Sequence, residues 1–296
     1  LEKFNIVAIL PAYNEEGKIA KVLVKTLKHV SKVIVVDDGS NDYTAEIAER
    51  MGAIVYRHGE RLGKGEALKT GFEIAKKLGA DIIVTLDADG QHDPDEIPLV
   101  IEPIMKGEAD IVIGSRTLSN SKIPTIRKIG NDVLNKVTNI ASGLKLTDTQ
   151  SGFRAFTRKA IEMIEVKDHG MGVESQILID AADKKLRIKE VPISVKYGKD
   201  TSTYNFLKHG SYVFIVILRT IIERSPLLYL GLPGIAVGAV GLALTIWLLA
   251  LYNTERYFSI PLAILALGGI LLGVILVVTA LLLYAINNLH ARLRRV

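Results

Sequence analysis

Residues 81–91 read DIIVTLDADGQ. Ile82, Ile83, Val84, Thr85 and Leu86 form a short apolar, partly β-branched run that stops at Asp87, Asp89 and Gln91. A run of this length, bounded by turn residues, predicts a strand covered on both faces, as in a parallel sheet. Asp87 and Asp89 are two apart, so in extended backbone their carboxylates project to the same side. With Gln91 they offer hard oxygen donors suited to Mg²⁺ or Mn²⁺ and leave coordination positions for phosphate oxygens. Asp and Gly are also ordinary turn formers. The aspartate pair therefore carries weight only with support from the rest of the chain.

The same pattern recurs on both sides. Residues 5–10 (NIVAIL), 32–36 (KVIVV), 54–56 and 110–113 read as strands, and 18–30, 44–51, 65–78 and 97–106 as helices. Alternation of this kind predicts an α/β domain, a mainly parallel sheet with helices on both faces. In such sheets ligands bind at the carboxyl ends of the strands. Those ends carry PAYNEE (11–16), DDGSND (37–42), DADGQ (87–91) and GSR (114–116), and all four are expected at one sheet edge.

Several nucleotide and metal motifs are excluded. The first strand runs into PAYNEE, not G-x-G-x-x-G, so a dinucleotide fingerprint is missing, as is the glycine-rich loop of a sugar nucleotidyltransferase. GERLGKG (59–65) has its glycines too close for a P-loop, and no Ser or Thr follows Lys64. A Ca²⁺-binding EF-hand loop starting at Asp87 would place His92 and Pro98 where Gly and Glu are required. The chain has no cysteine, which removes disulfide scaffolds and thiolate chemistry, and its six histidines lack zinc-hydrolase spacing.

Charge and hydropathy divide the chain. The net charge is +5, yet residues 1–195 hold 28 basic and 29 acidic residues. The surplus lies in 196–224, with 5 basic and 2 acidic residues, and in the last ten residues, with three arginines. It flanks the apolar C-terminal third, which points to anionic lipid headgroups and away from nucleic acid. Residues 227–252 and 258–286 are uncharged runs of 26 and 29 residues. As helices, both exceed the roughly 30 Å hydrocarbon core. Pro233 and Pro261 stand near their starts, where a helix tolerates proline. Arg219 and Arg224 precede the first run, and Arg292, Arg294 and Arg295 follow the second. The positive-inside rule then puts both flanks, and the N-terminal two-thirds, in the cytoplasm. Residues 6–10 are too short for a signal-peptide core. Residues 205–224 predict a helix in the headgroup region, with a soluble core helix as the alternative. The expected organisation is a catalytic domain (1–198), an acceptor loop and interface helix (199–226), two membrane helices (227–286) and a basic tail (287–296). Gly234, Gly238, Gly241, Gly268, Gly269 and Gly273 suggest an oligomerisation surface on the membrane helices, through which a homo-oligomer would form.

PAYNEE, VVDDGSND, GKG, LDADGQ and SGFRAF, taken in order, resemble family 2 glycosyltransferases of the GT-A fold. More narrowly they resemble dolichyl-phosphate mannose synthases and their polyprenyl-phosphate glucosyltransferase relatives. The resemblance covers residues 5–204 and implies a Rossmann-like GT-A domain followed by an interface helix and two membrane helices. It implies donor binding by Pro11, Ala12, Tyr13, Glu15, Asp38, Lys64, Asp87, Ala88 and Asp89, and metal binding by Asp87, Asp89 and Gln91. It also implies catalytic roles for Asp89, Arg116 and Arg127, and an acceptor-phosphate site of Arg116, Arg127, Arg154 and Ser202. Of the adjacent aspartates, Asp38 is expected on the base or ribose and Asp37 as a loop cap. Lys64 reads equally as a solvated loop lysine, and Arg154 equally as a structural arginine paired with a buried carboxylate. Glu174 stands where alcohol-using relatives place a catalytic acid and is read here as positioning the donor. Residues 199–204 (KDTSTY) are read as a mobile loop over the lipid phosphate.

The resemblance implies transfer of mannose from GDP-mannose to dolichyl (polyprenyl) phosphate, with inversion, at the cytoplasmic face of the bilayer. A prokaryotic plasma membrane is favoured over the endoplasmic reticulum. A phosphate monoester is already anionic near neutrality and needs no general base. It needs cations that hold it in line with the sugar carbon, and planar guanidinium groups suit that task. UDP-glucose is the alternative donor. A processive polysaccharide synthase would require a Q/R-x-x-R-W motif and more spans. A non-catalytic membrane protein that binds nucleotides would show metal-independent binding and no transfer.

Overall fold

The computed structural model of the chain describes residues 4–119, 125–167, 172–195, 215, 222 and 225–293. It comprises two compact units, Leu1–Ile217 and Leu218–Val296.

In the first unit, strands β1 (Ile6–Ala12), β2 (Lys32–Asp37), β3 (Ile54–Arg57), β4 (Ile82–Thr85), β5 (Ile111–Ser115), β6 (Arg154–Thr157) and β7 (Ile188–Pro192) form one sheet of order β3-β2-β1-β4-β6-β5-β7. The helices are α1 (Glu16–Thr26), α2 (Thr44–Arg50), α3 (Lys64–Lys77), α4 (Ile97–Met105), α5 (Thr125–Ser142), α6 (Arg158–Met163) and α7 (Val173–Asp183). The continuous apolar run of β1 has a direct cause. Ile6, Ala8 and Leu10 pack on one face with Ile19, Leu23 and Val100, from α1 and α4. Val7 and Ile9 pack on the other with Ala67, Phe72 and Ile177, from α3 and α7. Each face is covered, so no strand residue is polar until the chain reaches the sheet edge.

β1, β2, β3 and β4 are parallel, as the sequence predicts, and β5 is parallel to β7. The sheet is mainly parallel, as expected, with one antiparallel strand. β6 lies between β4 and β5 and is antiparallel to both. Its sequence is only RAFT, four residues headed by a charge, so periodicity gives no strand signal. β7 alternates partly buried and exposed residues, as an edge strand does. Helices α5, α6 and α7 likewise lie outside the elements read from sequence.

The second unit contains a π-helical turn at Leu227–Gly231, then α8 (Leu232–Glu255) and α9 (Ile260–Leu293). Arg256 stops α8 in the left-handed conformation, φ 55°, and its N–H bonds to the Tyr252 carbonyl at 3.0 Å. Both Leu227–Glu255 and Ile260–Asn287 are long and apolar enough to cross a membrane, and only 17% and 11% of their most apolar windows are buried. A soluble core helix would be mostly buried; outward apolar side chains such as Ile235, Ile246 and Ile264 suit a hydrocarbon solvent. The glycines have an intramolecular use. A Cβ on Gly241 would stand 2.6 Å from the Ile270 nitrogen, and one on Gly273 would stand 2.7 Å from the Gly234 carbonyl oxygen. They let α8 and α9 of one chain approach closely, whereas Gly268 has nothing within 4 Å. The expected interface helix at 205–224, with Arg219 and Arg224, lies outside the described residues, apart from isolated positions 215 and 222. The side chains of Arg292, Arg294 and Arg295 do so too.

Candidate active site

β4 delivers Asp87 and Asp89 to the sheet edge. Leu86 and Ala88 are buried, while Asp87 and Asp89 are partly exposed in the turn that follows β4. Gly90 turns the chain at φ 70°, which brings the Gln91 N–H to 3.0 Å from Asp89 Oδ1 and its amide nitrogen onto Oδ2. Gln91 thus orients Asp89. On the other side, Lys64 Nζ stands 2.6 Å from Asp87 Oδ1 and 2.6 Å from Glu174 Oε1. A Cβ on Gly152 would lie 2.7 Å from Asp87 Oδ2 and 2.9 Å from Lys64 Nζ, so only glycine fits beneath this pair as it stands. Pro11, Thr85, Asp87, Lys64, Gly152 and Glu174 line a common small cleft.

The electrostatics separate the two aspartates. Burial opposes ionisation of Asp87, but the Lys64 ammonium overrides it and the carboxyl is held below its ordinary range. Asp89 is pushed up to about 6, first by burial and then by the negative charge of Asp87. Burial likewise works against the Lys64 ammonium, yet Asp87 and Glu174 raise its pKa. Among the described residues no three Asp, Glu, His or Cys side chains gather into a metal-binding group. The donor set is instead two carboxylates, the second destabilised as an anion by the first. That charge state fits a divalent cation whose remaining ligands come from a bound phosphate. Asp87 and Asp89 would hold the ion, which neutralises charge on a departing diphosphate.

The first two strand ends build the neighbouring wall. Asp37 accepts from the Ser40 N–H at 3.1 Å and from the Ser40 hydroxyl, and pairs with Arg57 Nε at 3.2 Å; it caps its loop. Asp38, expected on the base or ribose, is 5% exposed and turns toward the loop that precedes α3. Its oxygens accept from the Leu62 and Gly63 N–H groups, each at 2.8 Å, and lie 2.9 Å from His58 Nδ1. These bonds fix the loop that ends at Lys64, so Asp38 acts on the site through that loop. Tyr13 carries the Arg61 guanidinium 4.0 Å from its ring centroid. Glu15 pairs with Lys18 at 3.3 Å, and burial raises its carboxyl. Pro11 and Ala12 end β1 at the same edge.

The arginines are placed differently from expectation. Arg116 points its fork at Asp148, with Nε and Nη2 each 2.7 Å from a carboxylate oxygen. Arg154 is 2% exposed and donates to the carbonyls of Ser151, Glu174 and Thr149 at 2.8, 2.9 and 2.8 Å. Burial pulls its guanidinium down to about 10. It is therefore a structural arginine, held by backbone carbonyls and not by the expected carboxylate. Its bond to the Glu174 carbonyl places α7 against the site, so the acceptor-phosphate role is withdrawn. Arg127 falls in the first turn of α5, and its side chain lies outside the described residues, as do Ser202 and residues 199–204. The sequence reading missed Gly152, Asp148 and His92. His92 is buried beside Phe153, ring centroids 5.5 Å apart, and bridges to Val195. The SGF before Arg154 was the available signal for Gly152; nothing local marks Asp148.

A mixed α/β sheet with paired carboxylates at its carboxyl edge, faced by a partly buried lysine, defines a GT-A glycosyltransferase. The chain belongs to glycosyl transferase family 2, whose model matches residues 7–164. It is 38% identical over 216 residues to UDP-N-acetylglucosamine–dolichyl-phosphate N-acetylglucosaminyltransferase of Methanococcus voltae, covering 65% of this chain and 86% of that one. It is 34% identical over 202 residues to undecaprenyl-phosphate mannosyltransferase of Micrococcus luteus, covering 64% and 82%. Among solved structures it resembles glucosyl-3-phosphoglycerate synthase of Mycobacterium tuberculosis in complex with Mn²⁺, UDP and glucosyl-3-phosphoglycerate. The TM-score is 0.60 at 25% identity, over 74% of this chain and 81% of that one.

Proposed function

We propose that this enzyme transfers mannose from GDP-mannose to the phosphate of a dolichyl (polyprenyl) lipid, with a divalent cation at Asp87 and Asp89. The observation that carries the reading is the aspartate pair at the sheet edge, faced by Lys64 and Glu174. It offers two carboxylates at one edge to a divalent cation and its diphosphate. Lys64 bridges Asp87 and Glu174, 2.6 Å from each, so Glu174 already faces an ammonium, which suits an acceptor that arrives as an anion. The Micrococcus relative's name supports a mannosyl donor and a polyprenyl-phosphate acceptor. Helices α8 and α9 fit an enzyme whose acceptor stays in the bilayer. Cytoplasmic placement of the first unit and of the C-terminus follows from the basic residues flanking the apolar runs.

A second donor has specific support. The Methanococcus relative uses UDP-N-acetylglucosamine by name, and the mycobacterial structure holds UDP with Mn²⁺. UDP-glucose belongs to the same reading. The test is transfer of radiolabelled sugar from GDP-mannose, UDP-N-acetylglucosamine and UDP-glucose to dolichyl phosphate in detergent with Mn²⁺ or Mg²⁺. Solvent-extractable product from GDP-mannose is expected. Product from a UDP-sugar alone moves the donor assignment, and none from any donor refutes the reading.

A further inference from the structure

Lys64 is the first residue of α3, placed by a loop that Asp38 holds through two backbone N–H groups. Its ammonium is sandwiched between Asp87 and Glu174, 2.6 Å from each, with Glu174 only 8% exposed. Asp87 Oδ1 thereby meets the lysine ammonium, while the aspartate side chain stays 31% exposed to the cleft. A second cation at Asp87 meets the Lys64 charge at short range, where like charges repel by several kcal/mol unless screened. The ligand-free site is therefore arranged against metal binding at one of the carboxylates the metal needs. An arriving diphosphate supplies Lys64 with another anion within the same cleft.

We propose that Lys64 is a charge-exchange residue: it neutralises Asp87 in the nucleotide-free enzyme and passes to the donor diphosphate when the nucleotide binds. Asp87 is then available to the divalent cation. Glu174 is the positioning residue that keeps the ammonium within reach of both partners, and Asp38 fixes the backbone from which it moves. The inference rests on the glycosyltransferase reading above. Its consequence is thermodynamic coupling. Nucleotide strengthens metal binding, and metal strengthens nucleotide binding by the same factor.

The experiment is a Mn²⁺ titration of the full chain in detergent, followed by electron paramagnetic resonance of free Mn²⁺, with and without GDP or UDP. For the unmodified enzyme, nucleotide is expected to raise Mn²⁺ affinity by at least about tenfold. In Lys64→Met, Mn²⁺ affinity without nucleotide is expected to rise by about tenfold, and the coupling to fall to within about threefold of none. Lys64→Arg keeps the charge and should keep nucleotide-free Mn²⁺ binding weak, which covers the case in which the methionine variant fails to fold. Lys69→Met removes an exposed lysine from the same helix and should behave as the unmodified enzyme. Undiminished coupling in a folded Lys64→Met, or tight Mn²⁺ binding by Lys64→Arg without nucleotide, overturns the exchange alone. Failure of the unmodified enzyme to bind either nucleotide with Mn²⁺ overturns the glycosyltransferase reading, and the exchange with it.

Discussion

Replacing Gly152 by alanine probes the site where its atoms are closest. Gly152 has no left-handed backbone, so alanine brings no backbone strain, and the effect is confined to one methyl group. That carbon would fall 2.7 Å from Asp87 Oδ2 and 2.9 Å from Lys64 Nζ, where ordinary contact begins at 3.4 Å. Asp87 must therefore give way by about 0.7 Å, the difference between 3.4 and 2.7 Å. In the nucleotide-free site Oδ1 is held by Lys64 at 2.6 Å, so the carboxylate moves only with the lysine or by breaking that pair. Displacement of a reacting group by about 1 Å costs on the order of 10²-fold in rate, equivalent to about 2.7 kcal/mol of transition-state stabilisation. The expected outcome is a loss of about 10²-fold in sugar transfer, with melting temperature and circular dichroism close to those of the unmodified protein. The assay is initial-rate transfer from labelled donor to dolichyl phosphate in detergent. Gly17→Ala is the control: it sits in α1 with nothing within 4 Å of its added Cβ, so alanine there should leave the rate unchanged and slightly stabilise the helix. A folded Gly152→Ala enzyme working within about twofold of normal would refute the idea that Asp87 placement limits the reaction.

Three other outcomes follow from the same geometry. Asp89→Ala should reduce transfer to below about 1% while leaving the fold intact, and chelation should do the same until Mn²⁺ or Mg²⁺ is restored; full activity in either case would remove the metal assignment. Arg154→Met should destabilise the first unit by about 3 kcal/mol or more, because three buried carbonyls lose their donor at once. Urea melts of the detergent-solubilised protein would read this, and a change below about 1 kcal/mol would show that the carbonyls find other partners. Gly241→Leu should force α8 away from α9, since even a Cβ would stand 2.6 Å from the Ile270 nitrogen. A lower thermal midpoint for the membrane part is expected, and an unchanged one would mean the helices repack around the side chain.

Legibility in the sequence followed the physics of each element. β1, β2 and β4 are buried on both faces, and only apolar residues survive there, so their signal is continuous and local. β6 carries no such signal because its first residue, Arg154, is buried through bonds to the carbonyls of Thr149, Ser151 and Glu174, a compensation that exists only in three dimensions. The Asp87–Asp89 pair was readable because both ligand chemistry and strand period lie within three residues. The bonds that Asp38 makes were not readable for a related reason: nothing near it in sequence announces that Leu62 and Gly63 will present their N–H groups to it. The glycines of α8 and α9 were read as an oligomerisation surface; that Gly234, Gly241 and Gly273 meet the other helix of the same chain is not written in the sequence.

The position of Arg116 bears on how an anionic lipid headgroup is held. Its guanidinium makes a bidentate pair with Asp148, which is 2% exposed, and Arg116 N–H bonds to the same carboxylate at 3.0 Å. The Asp148 N–H is in turn tied to Glu190 on β7 at 2.9 Å, and Glu190 also accepts from Thr147. Swinging Arg116 onto a phosphate would leave a buried carboxylate without its partner, a change that typically costs about 3–5 kcal/mol. The lipid phosphate would have to repay that before gaining any net affinity. Arg116 therefore serves best where it stands, bracing the loop after β5 against the 147–149 segment. Its substitution should act on the acceptor through the shape of that wall, raising KM for lipid phosphate and lowering the melting temperature together; a raised KM at unchanged stability would refute this.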